Sequence, residues 1–154
     1  MLCLALAGYE ATGTTTVSLA KAEAIPSGHS ITLEVLGDGA HPEVVQDLRA
    51  RLFGSLLAEG LFSDVVPALG EADYRLTVAL TDMTVISGGE RMIVGVLAPG
   101  DGFRADVRLV ESASDRTITE YNVETEAASD PRSPEAGIDV ALRKATARII
   151  AGLR

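Results

Sequence analysis

The segment Phe103–Val110 (FRADVRLV) alternates apolar and charged residues with a period of two. Phe103, Ala105, Val107 and Leu109 fall on one side, and Arg104, Asp106 and Arg108 on the other. A backbone that sends successive side chains to opposite faces sorts this pattern into one dry and one wet surface, so the stretch reads as a half-buried β-strand. A tight turn at Ser114-Asp115-Arg116 leads back into Thr117–Glu126 (TITEYNVETE), where Ile118, Tyr121 and Val123 are apolar and the alternation slips near Glu120, as at a β-bulge. A two-stranded hairpin with one apolar face is barely stable in water. The rest of the chain must therefore add strands to it and a layer to cover it.

Further strands are legible. Ser30–Leu36 (SITLEVL) alternates, with Ile31, Leu33 and Val35 on one face, between the turn signals Pro26-Ser27-Gly28 and Gly37-Asp38-Gly39. Ala72–Met83 places Tyr74, Leu76, Val78 and Leu80 together, and Arg91–Leu97 is a short apolar strand. Val17–Ala24 has the composition of an edge strand. Leu61–Leu69 is apolar but broken by Pro67, and is expected to pack beneath the sheet.

Two segments have helical spacing instead. Pro42–Gly60 begins with Pro42 and Glu43, which suit a first helical turn, and ends at Gly60, a C-terminal stop. Val45, Leu48, Leu52 and Leu56 make its stripe, which Val44, Phe53 and Leu57 widen. In the last segment Ser133 suits a cap and Pro134 a first position, and Ile138, Leu142, Ala145, Ile149 and Leu153 form one stripe with Arg143, Lys144 and Arg148 on the polar side. The expected fold is α+β: an antiparallel or mixed sheet of four to five strands, in the order β-α-β-β-β-β-α, with both helices on one face. The 154 residues fit one domain over 14–154, preceded by residues 1–13 as a signal or lipobox remnant or a flexible terminus.

Composition excludes several functions. The net charge of −9, with no basic cluster interleaved with aromatics, repels the phosphate backbone of nucleic acid and an anionic membrane surface alike. Cys3 is the single cysteine, so no internal disulfide forms. The first residues, MLCLALAG, are apolar but too few for a transmembrane span, which takes about 20 apolar residues. Leu6-Ala7-Gly8 has the shape of a lipoprotein signal end, but Tyr9 stands where the lipidated cysteine would follow, so no lipid anchor is possible there. A signal remnant, a displaced start, an altered lipobox and a buried first strand remain the four readings of this segment. The first three go with an exported protein, and a true start at Met1 with a cytoplasmic one.

No motif carries chemistry. His29 and His41 stand in turns without a companion cysteine or paired histidine, which leaves no metal set. Asp38 lies between glycines, with no calcium-loop spacing after it. Gly88-Gly89 and Gly95…Gly100-Asp101-Gly102 lie between strands, where hairpin turns explain them, and no Gly-Lys-Ser/Thr follows. Asp73 with Asp82 or Glu71 would make a carboxylate pair for hydrolysis, but the chain has no tryptophan to line a sugar cleft. No G-x-S-x-G elbow occurs. The expectation is no catalytic residue, no metal and no cofactor. One speculative edge for an anion or a partner remains, formed by Arg91 beside Gly89 and Arg104 beside Gly102. The wide stripe with Val44, Phe53 and Leu57 has two uses, core packing or a partner-binding face.

The sequence resembles a family of bacterial lipoproteins catalogued as domain-of-unknown-function family 4410. The likeness rests on Ala72-Asp73-Tyr74-Arg75-Leu76, a Gly-rich turn and Arg91, then Val94-Gly95, Gly100, Ala105-Asp106-Val107-Arg108-Leu109-Val110, an Asp-containing hairpin and an Ala-rich terminal helix. It spans Ser30–Arg154 and departs at Pro99 and Asp101-Gly102. It implies export to the bacterial envelope and carries over no catalytic residue. The element order is also similar to envelope domains related to the amino-terminal domain of TolB and to curli-secretion lipoproteins. The expected function is a non-enzymatic binding or scaffold module of the periplasm or the periplasmic face of the outer membrane, meeting an envelope protein or a copy of itself. The alternatives are a subunit of a secretion or polysaccharide-export assembly, and a small hydrolase or ligand-binding protein whose site is assembled from distant residues.

Overall fold

A computed structural model of the chain describes residues 13–19, 25, 27–37, 39, 41–84, 101–127 and 136–154. Its elements are β1 (Gly13–Leu19), β2 (Ser30–Leu36), α1 (Pro42–Ala58), β3 (Asp64–Val66), β4 (Tyr74–Thr84), β5 (Asp101–Glu111), β6 (Arg116–Ala127) and α2 (Ala136–Leu153). The strands form one mixed sheet in the order β1-β6-β5-β4-β2-β3. β4, β5, β6 and β1 pair antiparallel, while β2 runs parallel to both β3 and β4. From β2 onward the order is the expected β-α-β-β-β-β-α, in an α+β fold, and β1 adds an edge strand. The expected strand Arg91–Leu97, the Gly88-Gly89 turn, Asp38 and the Ser133-Pro134 cap lie outside the described residues.

The alternation seen in the sequence becomes a continuous inner face. Leu33, Leu76 and Leu109 stand in one cross-strand row, and Val35, Val78, Val107 and Tyr121 in the next. All seven are buried. The helices cover this face and touch each other, α1 lying over β2 and β3 and α2 over β5 and β6. From α1 come Val44, Leu48, Leu52 and Leu56, and from α2 Leu142, Ala145, Ile149 and Leu153. Burying a side chain of this size stabilises by roughly 1.5–3 kcal/mol, so these rows hold the two layers together. Arg51 of α1 donates across to Asp139 of α2 at 2.6 Å, and each end is braced within its own helix, Arg51 by Asp47 at 3.1 Å and Asp139 by Arg143 at 2.9 Å. The pairing with Asp47, then Asp139, keeps Arg51 more firmly protonated than a free guanidinium.

Two local expectations are corrected. Leu61–Leu69 does not pack beneath the sheet. Phe62 and Val65 reach the core, but Asp64–Val66 joins the sheet as the short edge strand β3, and Leu69 is wholly exposed. Pro67 lacks the N–H needed to continue the strand, so the chain leaves the edge there. Second, Phe53 and Leu57 do not widen the core stripe, being 44% and 43% exposed. The slip in alternation near Glu120 is a bulge at Ile118: Leu109 faces Thr119 and Val110 faces Thr117, leaving Ile118 unopposed. That extra residue resets the pleat so that Thr119, Tyr121, Val123 and Thr125 all point inward.

The ends of α1 follow the sequence signals. Pro42 sits in its first turn, and Gly60 takes φ +63°, a left-handed conformation that suits glycine and stops the helix. The β5–β6 hairpin uses Asp115 at φ +54°, a conformation aspartate tolerates better than most residues.

Candidate functional site

The outer face of the sheet has no helix of the described residues over it and carries the charges that alternate with the core. Register places Glu34, Thr77, Arg108 and Glu120 in one row, and Asp82, Arg104 and Glu124 in another. Arg104 lies 3.3 Å from Glu124, and Arg108 lies 4.0 Å from Glu120 while donating to the Thr117 hydroxyl at 2.8 Å. Asn122 donates to Asp106 across the same face. These are exposed cross-strand pairs, each worth only about 0–1 kcal/mol. They solvate the face and set its sign, which is acidic.

The residues singled out from the sequence do not converge. Arg104 stands on β5 against Glu124, and Arg91 lies outside the described residues. His41 lies 3.4 Å from Glu43 at the start of α1, and His29 lies 3.3 Å from Asp73 near the start of β4. Asp73 and Asp82 sit at opposite ends of β4, nine residues apart along an extended chain, or roughly 30 Å. They cannot serve one reaction as a pair. Glu71 and Asp73 do line one open hollow of about 440 Å³ with Arg75 and Ser112. Among the described residues no group of three His, Cys, Asp or Glu side chains could hold a metal ion. No helix of the described residues is long and apolar enough to cross a membrane.

The densest polar cluster in that region is a clasp between two strand starts. The Asp73 carboxylate accepts from the Ser30 backbone N–H at 2.8 Å and from the Ser30 hydroxyl at 3.0 Å, with His29 alongside. The Ser30 hydroxyl oxygen in turn accepts from the Asp73 N–H at 3.1 Å. The aspartate stands between serine and histidine, so the histidine cannot take the serine proton, and a nucleophilic triad needs the histidine in the middle. The cluster fastens β2 to β4. The Ser30 N–H, then its hydroxyl, hold the Asp73 carboxyl below its ordinary pKa. A carboxyl depressed in the folded state contributes stability above its unfolded pKa and loses it as pH falls through the folded value. Thermal melts should therefore show Asp73→Asn less stable than the parent at neutral pH, with the two curves converging as the buffer is taken down through the carboxylate range. A gap that stayed constant with pH would refute the clasp as a charge effect.

A small hollow of about 160 Å³ on β4, β5 and β6 is lined by Asp82, Arg104, Glu124 and Glu126, and two larger concavities border the helices. A groove of about 680 Å³ between α1 and α2 is floored by small side chains, Ala50, Gly54, Ala58, Ala147 and Ala151, with Ile150. A second, of about 480 Å³, lies between α1 and the β3 edge and is lined by Phe53, Val66, Pro67, Ala50, Gln46 and Arg49 over Leu33. The sequence places Phe53 and Leu57 in the core stripe, whereas the structure leaves both exposed. The usable signal was angular. Each follows a core leucine by one residue, Leu52 or Leu56, and so lies about 100° further round the helix.

These features define a class: a two-layer α+β domain with an acidic sheet face and no assembled reactive centre among the described residues. Two crystal structures of PelC from Paraburkholderia phytofirmans, both dodecamers, share the fold. One, of a variant, has a TM-score of 0.66 at 16% identity and covers 92% of this chain and 97% of the PelC chain. The other has a TM-score of 0.67 at 14% identity, covering 92% and 98%. A Xanthomonas campestris protein of domain-of-unknown-function family 330 is also similar, with a TM-score of 0.58 at 14% identity over 88% of this chain and 90% of its own. No protein-family model and no curated protein sequence matches the chain.

Proposed function

We propose that this chain is a non-enzymatic binding or scaffold module of the bacterial cell envelope that works as an assembly of identical copies. The observation carrying this reading is the likeness, over nearly the whole of both chains, to PelC structures that are dodecamers. The dispersal of ionisable side chains over solvated strands supports a surface function rather than a catalytic one, because acid–base and nucleophilic chemistry needs such groups within hydrogen-bond reach of one another. The apolar outer side of α1 supports a protein partner. A narrower reading, a subunit of an envelope secretion or polysaccharide-export assembly, is favoured by the PelC likeness.

Light scattering coupled to size exclusion tests the first reading. The purified chain should run as one species several times the protomer mass, and a protomer mass at every concentration would end it. Fractionation of the native host should place the protein in the envelope. Recovery from the cytosol alone would remove both readings.

A further inference from the structure

The two ends of the sheet are guarded unequally. β3 is three residues long and stops at Pro67, and a short strand closed by proline offers little to a further strand. β1 is the terminal strand at the other end, seven residues long, and pairs with β6 without interruption from Gly13 to Val17 before its register shifts at Ser18. Among the described residues no strand lies beyond it. A strand paired on one side only turns about half of its backbone N–H and C=O groups outward. Charged residues and proline are the usual guards of such an edge, and none occurs between Glu10 and Lys21. Gly13–Val17 is thus an uncharged stretch in a chain of net charge −9. Two such chains repel wherever their carboxylates meet, so an edge without charge is where they approach at the least electrostatic cost.

We infer that β1 of one copy pairs antiparallel with β1 of a second copy, centred on Thr15, so that two sheets become one. This rests on the self-assembly reading above and deepens it by naming one contact. A two-fold axis that joins an edge to itself in antiparallel fashion stands perpendicular to the sheet and keeps the helices of both copies on one side. Facing residues must then share a face, and the two-residue period requires the axis to pass through a residue position. Thr15 as that position uses all of Gly13–Val17 and stops short of the shift at Ser18. It sets Thr14 against the second copy's Thr16, Thr15 against its own counterpart, and Gly13 against Val17. Threonine opposite threonine is a favourable cross-strand pair. A contact of one edge with itself is complete with two copies, so a larger assembly uses a further surface as well.

The test measures molar mass in solution for the whole chain and two double variants. Thr14 and Thr16 stand opposite Glu124 and Asn122 of β6, which belong to the charged outer face, so charge is tolerated at these register positions. Thr14→Lys with Thr16→Lys sets like charges against each other at both Thr14–Thr16 pairs. It should cut the mass to half or less at a concentration where the parent is fully assembled. Thr14→Lys with Thr16→Glu sets opposite charges at the same two pairs and should keep the parent mass. It changes the same positions, so it separates a lost contact from a damaged strand. A parent chain that is itself a protomer sinks the self-assembly reading. A parent assembly whose mass survives the two-lysine variant, or falls equally in both variants, sinks the β1 contact alone.

Discussion

Gly152→Ala is expected to destabilise the protein by about 2 kcal/mol, although alanine is favoured over glycine in a helix by up to about 1 kcal/mol. A methyl group at this position of α2 would stand 2.5 Å from Cζ, 2.7 Å from Cε2 and 2.9 Å from the hydroxyl of Tyr121. The Tyr121 ring cannot give way. It is 1% exposed, it lies in the inner row with Val107, and its hydroxyl donates to the Ile149 carbonyl at 2.5 Å. Burial also raises the phenol pKa well above its ordinary value, so the group remains a donor at any physiological pH. Moving the ring breaks that hydrogen bond and opens the β6–α2 seam. A thermal melt should show a fall of roughly 4–8 °C, at about 2–4 °C per kcal/mol for a chain of this size. Much of the loss should disappear when Tyr121 is first replaced by leucine, which removes the clashing atoms. An unchanged or raised melting temperature in the Gly152→Ala variant would show that the ring is not held as described.

Leu76→Ala should cost more, about 2–5 kcal/mol. Leu76 is fully buried on β4, between Leu33 of β2 and Leu109 of β5. Its position joins the parallel half of the sheet to the antiparallel half, and relaxation there would have to move strands on both sides. The vacated volume therefore stays largely open, which is the condition for the upper part of that range. Chemical denaturation should show a lower midpoint with an unchanged slope. A loss under 1 kcal/mol would mean that the sheet centre collapses freely onto the helices, contrary to the packing of its rows.

The same physics separates what was legible in the sequence from what was not. The inner rows were legible because a two-residue period in a strand and a 3.6-residue period in a helix each assign a side chain to a face without knowledge of its partner. Ser30–Leu36 appeared with the bounds expected, and the stripe from Leu142 to Leu153 became the buried side of α2. β3 was missed because three residues before a proline carry no period, and only the neighbouring β2 makes Asp64–Val66 a strand. The clasp of Asp73 to Ser30 joins residues 43 apart, and neither is unusual in its own surroundings. Phe53 and Leu57 were legible as apolar positions on α1, but the core packing expected of them in preference to a partner-binding face failed once the helix was seated.

By itself, the sequence determined the fold class, most of the elements and the absence of a recognisable catalytic motif, because local patterning decides which side of each element must be dry. Tertiary structure decided the order of the strands, the parallel placement of β2 between β3 and β4, and which apolar residues were left outside. Those outcomes depend on how elements distant in the chain share a limited interior, and α1 turns only one side of itself to the sheet. Its leucines filled that side, and Phe53 and Leu57, one step further round, were left facing solvent.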